Sequence, residues 1–209
     1  MKYFTHLSVA VLIMLLGTFH VAAWCDDSAS ARNLAGNAQA GAPSGWMHFV
    51  TKRTVVYYQS EADLKTLDQK LRVGRRGGFL GLFGGRESGS IIERLGKKID
   101  DIFENVQALL DMYNCKSKIK IMVYTHQDEI DRVYADLTPQ YNLPSVHTDY
   151  IAFYFHKLKT VYISLETVTE GVLAHELAHA IIDHYFIIRP PSKVAETLAR
   201  YVDKHLKRK

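Results

Sequence analysis

His175-Glu176-Leu177-Ala178-His179 constrains this chain more than any other five residues in it. Residues four apart on a helix lie one above the other on the same face. A helix here therefore stacks His175 over His179 and lets both imidazoles reach one metal ion. Glu176 is turned by about 100° from His175, beside such an ion rather than on it, where a carboxylate can take a proton from water. The arrangement requires a helix, and the flanks predict one. Thr167-Val168-Thr169-Glu170 reads as a capping box, and beyond Gly171 neither Gly nor Pro interrupts the run to about His184. Leu173, Leu177, Ala180 and Ile181 recur at helical spacing on a face distinct from that of the histidines. Pro190-Pro191 then stops any continuation.

A catalytic zinc takes three protein ligands and keeps a fourth position open, so a third ligand is needed. His184 lies nine residues after His175, but the metzincin spacing wants Gly at the seventh and His at the tenth position, which hold Ile182 and Tyr185. Asp183 is one turn after His179 and is expected to orient that histidine as a hydrogen-bond acceptor. Glu196, in Ala195-Glu196-Thr197-Leu198, is the expected ligand. Ser192 is read as the N-cap of a second helix, which puts Glu196 in its first turn. A short turn from Tyr185 to Pro191 folds that helix back toward the first.

HExxH followed 17 residues later by a helical glutamate resembles the gluzincin metallopeptidases, the class that includes thermolysin. The resemblance is strongest from Tyr150 to Leu206 and is closest to the small gluzincin-type domains of secreted bacterial proteins. It implies a zincin-like α+β fold, with a small mixed or antiparallel sheet, a metal-bearing helix and a third-ligand helix. It also implies one Zn2+ per chain on His175, His179 and Glu196, with Glu176 as catalytic base. The pattern departs from thermolysin-like enzymes at two places. Those enzymes have Asn before the ligand glutamate and Asp four residues after it, where this chain has Ala195 and Arg200. The groups that orient the ligands must therefore come from elsewhere.

The N-terminus reads as a secretory leader, residues 1–23: Lys2, an apolar stretch from Leu7 to Leu16, and Val21-Ala22-Ala23 before the cleavage point. The apolar stretch is short for a membrane span, and an uncleaved anchor is the alternative. Trp24 stands where a lipoprotein signal needs a small residue before Cys25. The expected location is secreted or periplasmic. In an oxidising compartment the only two cysteines, Cys25 and Cys115, are expected to pair, two free thiols being the alternative.

Residues 24–45 are rich in Ser, Ala, Gly and Asn and read as a flexible lead-in to one domain, 46–209. Its length suffices for a core, and 47% hydrophobic and 23% charged residues are ordinary for a globular chain. Thr54–Tyr58 is a predicted strand. Ser60 caps a short helix carrying Leu64, Leu67 and Leu71, and Ser90-Ile91-Ile92-Glu93 opens a long one with Leu95, Ile99, Ile102 and Val106 on one face. Ile119, Ile121 and Val123 alternate with Lys118, Lys120 and Met122, predicting a strand with one face buried. A short helix over Glu129–Asp136 and a loop through Pro139 and Pro144 follow. Tyr150–Phe155 and Thr160–Ser164 form a predicted hairpin before the metal helix. Its segment Ile151–Tyr154 is either an open edge that pairs with an extended peptide or an ordinary internal hairpin.

Gly74–Gly89 holds seven glycines with Arg75, Arg76, Arg86 and four apolar residues. It lacks the ending of a phosphate loop and reads as an insertion, with a lid or a membrane-touching loop as the alternative. The charge of +4 is mild and concentrated at Lys204 and Lys207–Lys209, read as a solvated tail. No basic and aromatic motif suggests nucleic-acid binding. Peptide or protein is the expected partner, and the sequence leaves the oligomeric state open.

The expected reaction is zinc-assisted peptide hydrolysis with Glu176 as general base. Tyr185, His184 and His147 are the candidates to stabilise the oxyanion. Tyr201 and His205 point away from Glu196 on their helix, and His48, His126 and His156 are read as structural. A catalytically inactive zinc-binding scaffold in the cell envelope is the alternative, and a zinc-free interaction domain a third reading.

Overall fold

The computed structural model describes residues 45–71, 89–115, 117–141 and 150–206. The expected leader, the lead-in up to Ser44 with Cys25, the Gly-rich stretch up to Ser88, His147 and Lys207–Lys209 lie outside the described residues.

Among the described residues, five strands and five helices form an α+β arrangement. They run β1 (Met47–Val50), β2 (Thr54–Tyr58), α1 (Glu61–Lys70), α2 (Ile91–Leu110), β3 (Ile119–Tyr124), α3 (Gln127–Tyr141), β4 (Ala152–Phe155), β5 (Thr160–Ser164), α4 (Glu170–Tyr185) and α5 (Ser192–Leu206). The strands form one mixed sheet in the order β1-β2-β3-β5-β4. Both outer pairs are antiparallel, and β2–β3 and β3–β5 are parallel. Parallel neighbours need a crossover, which α1 and α2 supply on one side of β3 and α3 on the other. β4 is an outer strand.

Local signals set the helix starts. Ser60 with Asp63, and Ser90 with Glu93, form reciprocal capping boxes that satisfy the first backbone donors of α1 and α2. The apolar stripe of α2, including Leu95, Ile99, Ile102, Phe103 and Val106, is fully buried. It packs with Val56, Ile119, Ile121, Val123, Val161 and Ile163 from one sheet face and with Leu173, Leu177, Ala180 and Ile181 of α4. Burying the stripe of α4 in this way fixes its rotation, so the opposite side carries the histidines.

Four sequence expectations need correction. The cap of α4 is Thr169, whose hydroxyl accepts from the Val172 amide at 3.2 Å. Thr167 instead donates to the Ile151 carbonyl at 2.9 Å, tying the helix entrance to the start of β4. Ser192 lies inside α5, because the carbonyl of Pro191 already accepts from the Ala195 amide at 3.1 Å. The third helix extends past Pro139 to Tyr141. Aromatic packing holds that last turn, with Tyr141 edge-on to Phe155 at 4.9 Å between ring centres. β3 is buried on both faces rather than one, since Met122 and Tyr124 are also covered. Trp46 and Tyr162 pack on Tyr124, and α3 lies against β3 and β5.

Cys115 is a buried free thiol, and Cys25, its expected partner, lies outside the described residues. Burial pushes that thiol's pKa up, and its Sγ donates to the Ser117 carbonyl at 3.5 Å. The first strand, β1, was not foreseen. Only Phe49 of its four residues faces inward, so it carries no alternation to read. Its turn is held by Asp100 of α2, which accepts from the Thr51 hydroxyl at 2.8 Å and from the amides of Lys52 and Arg53. Among the described residues no helix is long and apolar enough to cross a membrane.

Candidate metal centre

α4 and α5 lie side by side, joined by residues 186–191. From this pair, His175, His179 and Glu196 bring one donor atom each to a common point, all within 4.8 Å of one another. The two Nε2 atoms are 3.2 Å apart. Glu196 Oε2 lies 3.4 Å from His179 Nε2 and 3.7 Å from His175 Nε2. Three donors at about 2.0–2.1 Å around a tetrahedral ion stand about 3.3 Å apart, so the triangle is of the size that such an ion needs.

Protonation states suit this set. Asp203 Oδ2 lies 3.0 Å from His175 Nδ1. A carboxylate there accepts the Nδ1 proton and leaves the Nε2 lone pair facing the other two donors. Burial, followed by the His175 charge, depresses the pKa of His179 to about 4, so its imidazole is neutral at physiological pH. For Glu196 partial burial acts upward, but Arg200 and the two histidines outweigh it and hold the carboxyl below the usual range. Arg200 Nε donates to Oε1 at 2.7 Å, which leaves Oε2 for the histidines.

Glu176, next to His175 on α4, lines the same cleft and is only 8% exposed. Burial pushes its carboxyl up to about 7, against the pull of His175 and a hydrogen bond from the Tyr154 amide, and Glu196 and Asp203 add to the rise. A carboxyl poised near neutrality can both accept and return a proton.

The group forms part of a cleft of about 840 Å³. Residues 151–156, which span β4, line it together with α4, α5 and the aromatic cluster of Tyr134, Tyr150 and Phe153. The outer strand of the sheet therefore runs along the cleft, as one of the two readings of that hairpin required.

Asp183 does not orient His179. It accepts from the Tyr154 hydroxyl at 3.0 Å and pairs with Arg189 at 3.6 Å. An orienting carboxylate stands at the other histidine instead: Asp203, two helical turns after Glu196, faces His175 Nδ1. Its signal was the seven-residue interval, which returns a side chain to the same helix face. His184 has both ring nitrogens engaged, with the Ala180 carbonyl and the Ser117 hydroxyl, each at 2.8 Å. Tyr185 is largely exposed and packs on Phe186. Neither lines the cleft. Tyr201 and His205 stack on each other 4.0 Å apart, also outside it. His48 packs beside Tyr57, and His126 pairs with Glu166 at 2.9 Å.

His156 was read as structural, yet it lines the cleft with Arg189. Burial and the Arg189 charge lower its pKa, which favours the neutral ring. Arg189 also contributes to depressing His179. With Asp203, these two are polar groups of the cleft that sequence reasoning missed. Comparison with protein-family models, with curated proteins and with solved structures finds no match for the chain.

Proposed function

We propose that the protein is a zinc-dependent peptidase of gluzincin type, exported from the cell, with a zincin-like fold. One observation carries the reading: two imidazole nitrogens and a carboxylate oxygen converge at tetrahedral spacing beside a buried carboxyl, on the wall of a cleft bordered by an outer strand. His175, His179 and Glu196 would hold the ion, and the two-nitrogen, one-oxygen donor set is one that zinc accepts with a position left open. Zinc bound there would polarise the scissile carbonyl and make a nearby water acidic enough to attack near neutral pH.

The chain's own residues do the rest. β4 offers backbone donors and acceptors to an extended peptide, which fixes the scissile bond along the cleft. Glu176 accepts the proton of the attacking water and returns it to the leaving amine. His156 is among the cleft-lining groups able to donate to the developing oxyanion.

The test is metal analysis of the purified chain together with cleavage of a mixed peptide library. One zinc per chain is expected, with cleavage that a chelator abolishes and added zinc restores. The double variant His175→Ala/His179→Ala should retain no stoichiometric zinc. A full zinc equivalent in that variant would overturn the ligand assignment, and absence of cleavage by zinc-loaded wild type would favour a non-catalytic scaffold.

Asp203→Asn offers a finer check. The amide cannot hold the Nδ1 proton of His175 as a carboxylate does, so zinc affinity should fall about 10- to 100-fold with the fold retained. Competition with a chromophoric chelator measures it, and an unchanged affinity would remove Asp203 from the site.

A further inference from the structure

The loop between α4 and α5 has an apolar tip without packing. Ile187 is 104% exposed and Ile188 86%, whereas Ile99, Ile119, Ile121 and Ile163 are at 0%. Tyr185, Phe186 and Val194, on either side of the tip, are also exposed. Such exposure means the two isoleucines project from the surface rather than lie flat on it. Large apolar groups held in water are a standing cost that an apolar medium removes, and contiguous exposed apolar surface marks contact sites.

Cations flank the same tip. Residues 184–195 hold Arg189 and Lys193 and no carboxylate. Arg189 follows the tip directly, pairs with Asp183 at 3.6 Å and keeps 46% of its side chain exposed, and Lys193 is the second residue of α5 and is exposed. An apolar pocket on a protein would accommodate two isoleucines but gives no reason for cations beside them. An anionic bilayer accommodates both, apolar side chains below the headgroups and cations among the phosphates.

We propose that residues 185–189 form an interfacial anchor that inserts Ile187 and Ile188 into an anionic lipid surface, with Arg189 and Lys193 at headgroup level. Arg189 and Ser192 also line the cleft, so docking by this loop holds the cleft mouth at the membrane. Peptide segments near a bilayer thereby become the favoured substrates, a corollary that rests on the peptidase reading. The anchor itself does not depend on that reading.

The test uses the exported full chain and vesicles of phosphatidylcholine, alone or with an equal part of phosphatidylglycerol. Wild type should co-sediment with the anionic vesicles at least about tenfold more tightly than with the neutral ones. Ile187→Ser/Ile188→Ser should lose at least about tenfold of that binding, with thermal midpoint and zinc content unchanged. Because another segment could hold the chain to lipid, Ile188→Trp supplies a local readout. Its emission, as the difference from wild type, should shift to the blue and be quenched by brominated acyl chains. Equal anionic-vesicle binding by wild type and the serine variant, or an unshifted emission with vesicles bound, would overturn the anchor. Self-association of wild type that the serine pair removes, with no change at Trp in the presence of vesicles, would assign the tip to a second copy of the chain instead.

Discussion

Glu176→Gln should keep one zinc per chain and lose peptide cleavage by about 100- to 10,000-fold, the usual cost of removing a general base. Glu176 is not among the three converging donors, so its loss leaves the metal triangle intact. The amide matches the carboxyl in size and still hydrogen-bonds water, but it cannot accept a proton. The fold should be retained, because a neutral side chain suits a site only 8% exposed better than an ionised one. Glu196→Gln should differ in kind. It removes the one charged donor of the set, so zinc affinity falls and activity returns with added zinc. The two variants together separate proton transfer from metal binding. Measured cleavage rates at saturating zinc decide the matter. Equal cleavage by wild type and Glu176→Gln would refute the mechanism while leaving the metal site standing.

The part of this centre legible in the sequence is the part written in local spacing. His175 and His179 are four apart on a helix with a separate apolar stripe, and both properties follow from periodicity alone. The hairpin, the Ser60 cap and the Ser90 capping box were legible for the same reason, since each depends on residues within a few positions. Glu196 was reachable because the double proline and a short turn leave few ways to lay α5 beside α4.

Tertiary placement was not legible. Asp183 and Asp203 both sit at plausible helical intervals from a ligand, and only the packing of α5 against α4 decides between them. That packing turns Asp203 to His175 and leaves Asp183 to Tyr154 and Arg189. His156 has no partner at ligand spacing, yet the strand that carries it borders the cleft. β1 is held by Asp100, about fifty positions away in sequence, and no local pattern announces such an anchor. The extension of α3 past Pro139 likewise depends on Phe155 from a different strand.

The same placement gives the metal-free protein an unusual dependence of stability on pH. Glu176 is buried and His179 partly so, and burial favours the neutral form of each, which moves their pKa values in opposite directions. His179 stands at about 4 when folded against its ordinary 6.5. Between those pH values the unfolded chain binds the extra proton, so unfolding free energy rises with pH, by up to about 3 kcal/mol. Glu176 stands at about 7 when folded against 4.5. Between those values the folded chain holds the extra proton, so unfolding free energy falls as pH rises, again by up to about 3 kcal/mol. The windows overlap from 4.5 to 6.5, where the slopes of these two groups oppose each other. Glu176→Gln removes the falling component, so its stability should climb with pH across the overlap. His179→Ala removes the rising one, so its stability should decline. Urea denaturation in chelator at several pH values reads both slopes, and slopes of the same sign in the two variants would contradict the opposed pair. Zinc added at neutral pH to the wild type should then raise stability by about 4 kcal/mol at a thousandfold excess over its dissociation constant. The His179→Ala chain should gain far less, because the folded state has lost a ligand through which binding could be coupled to folding.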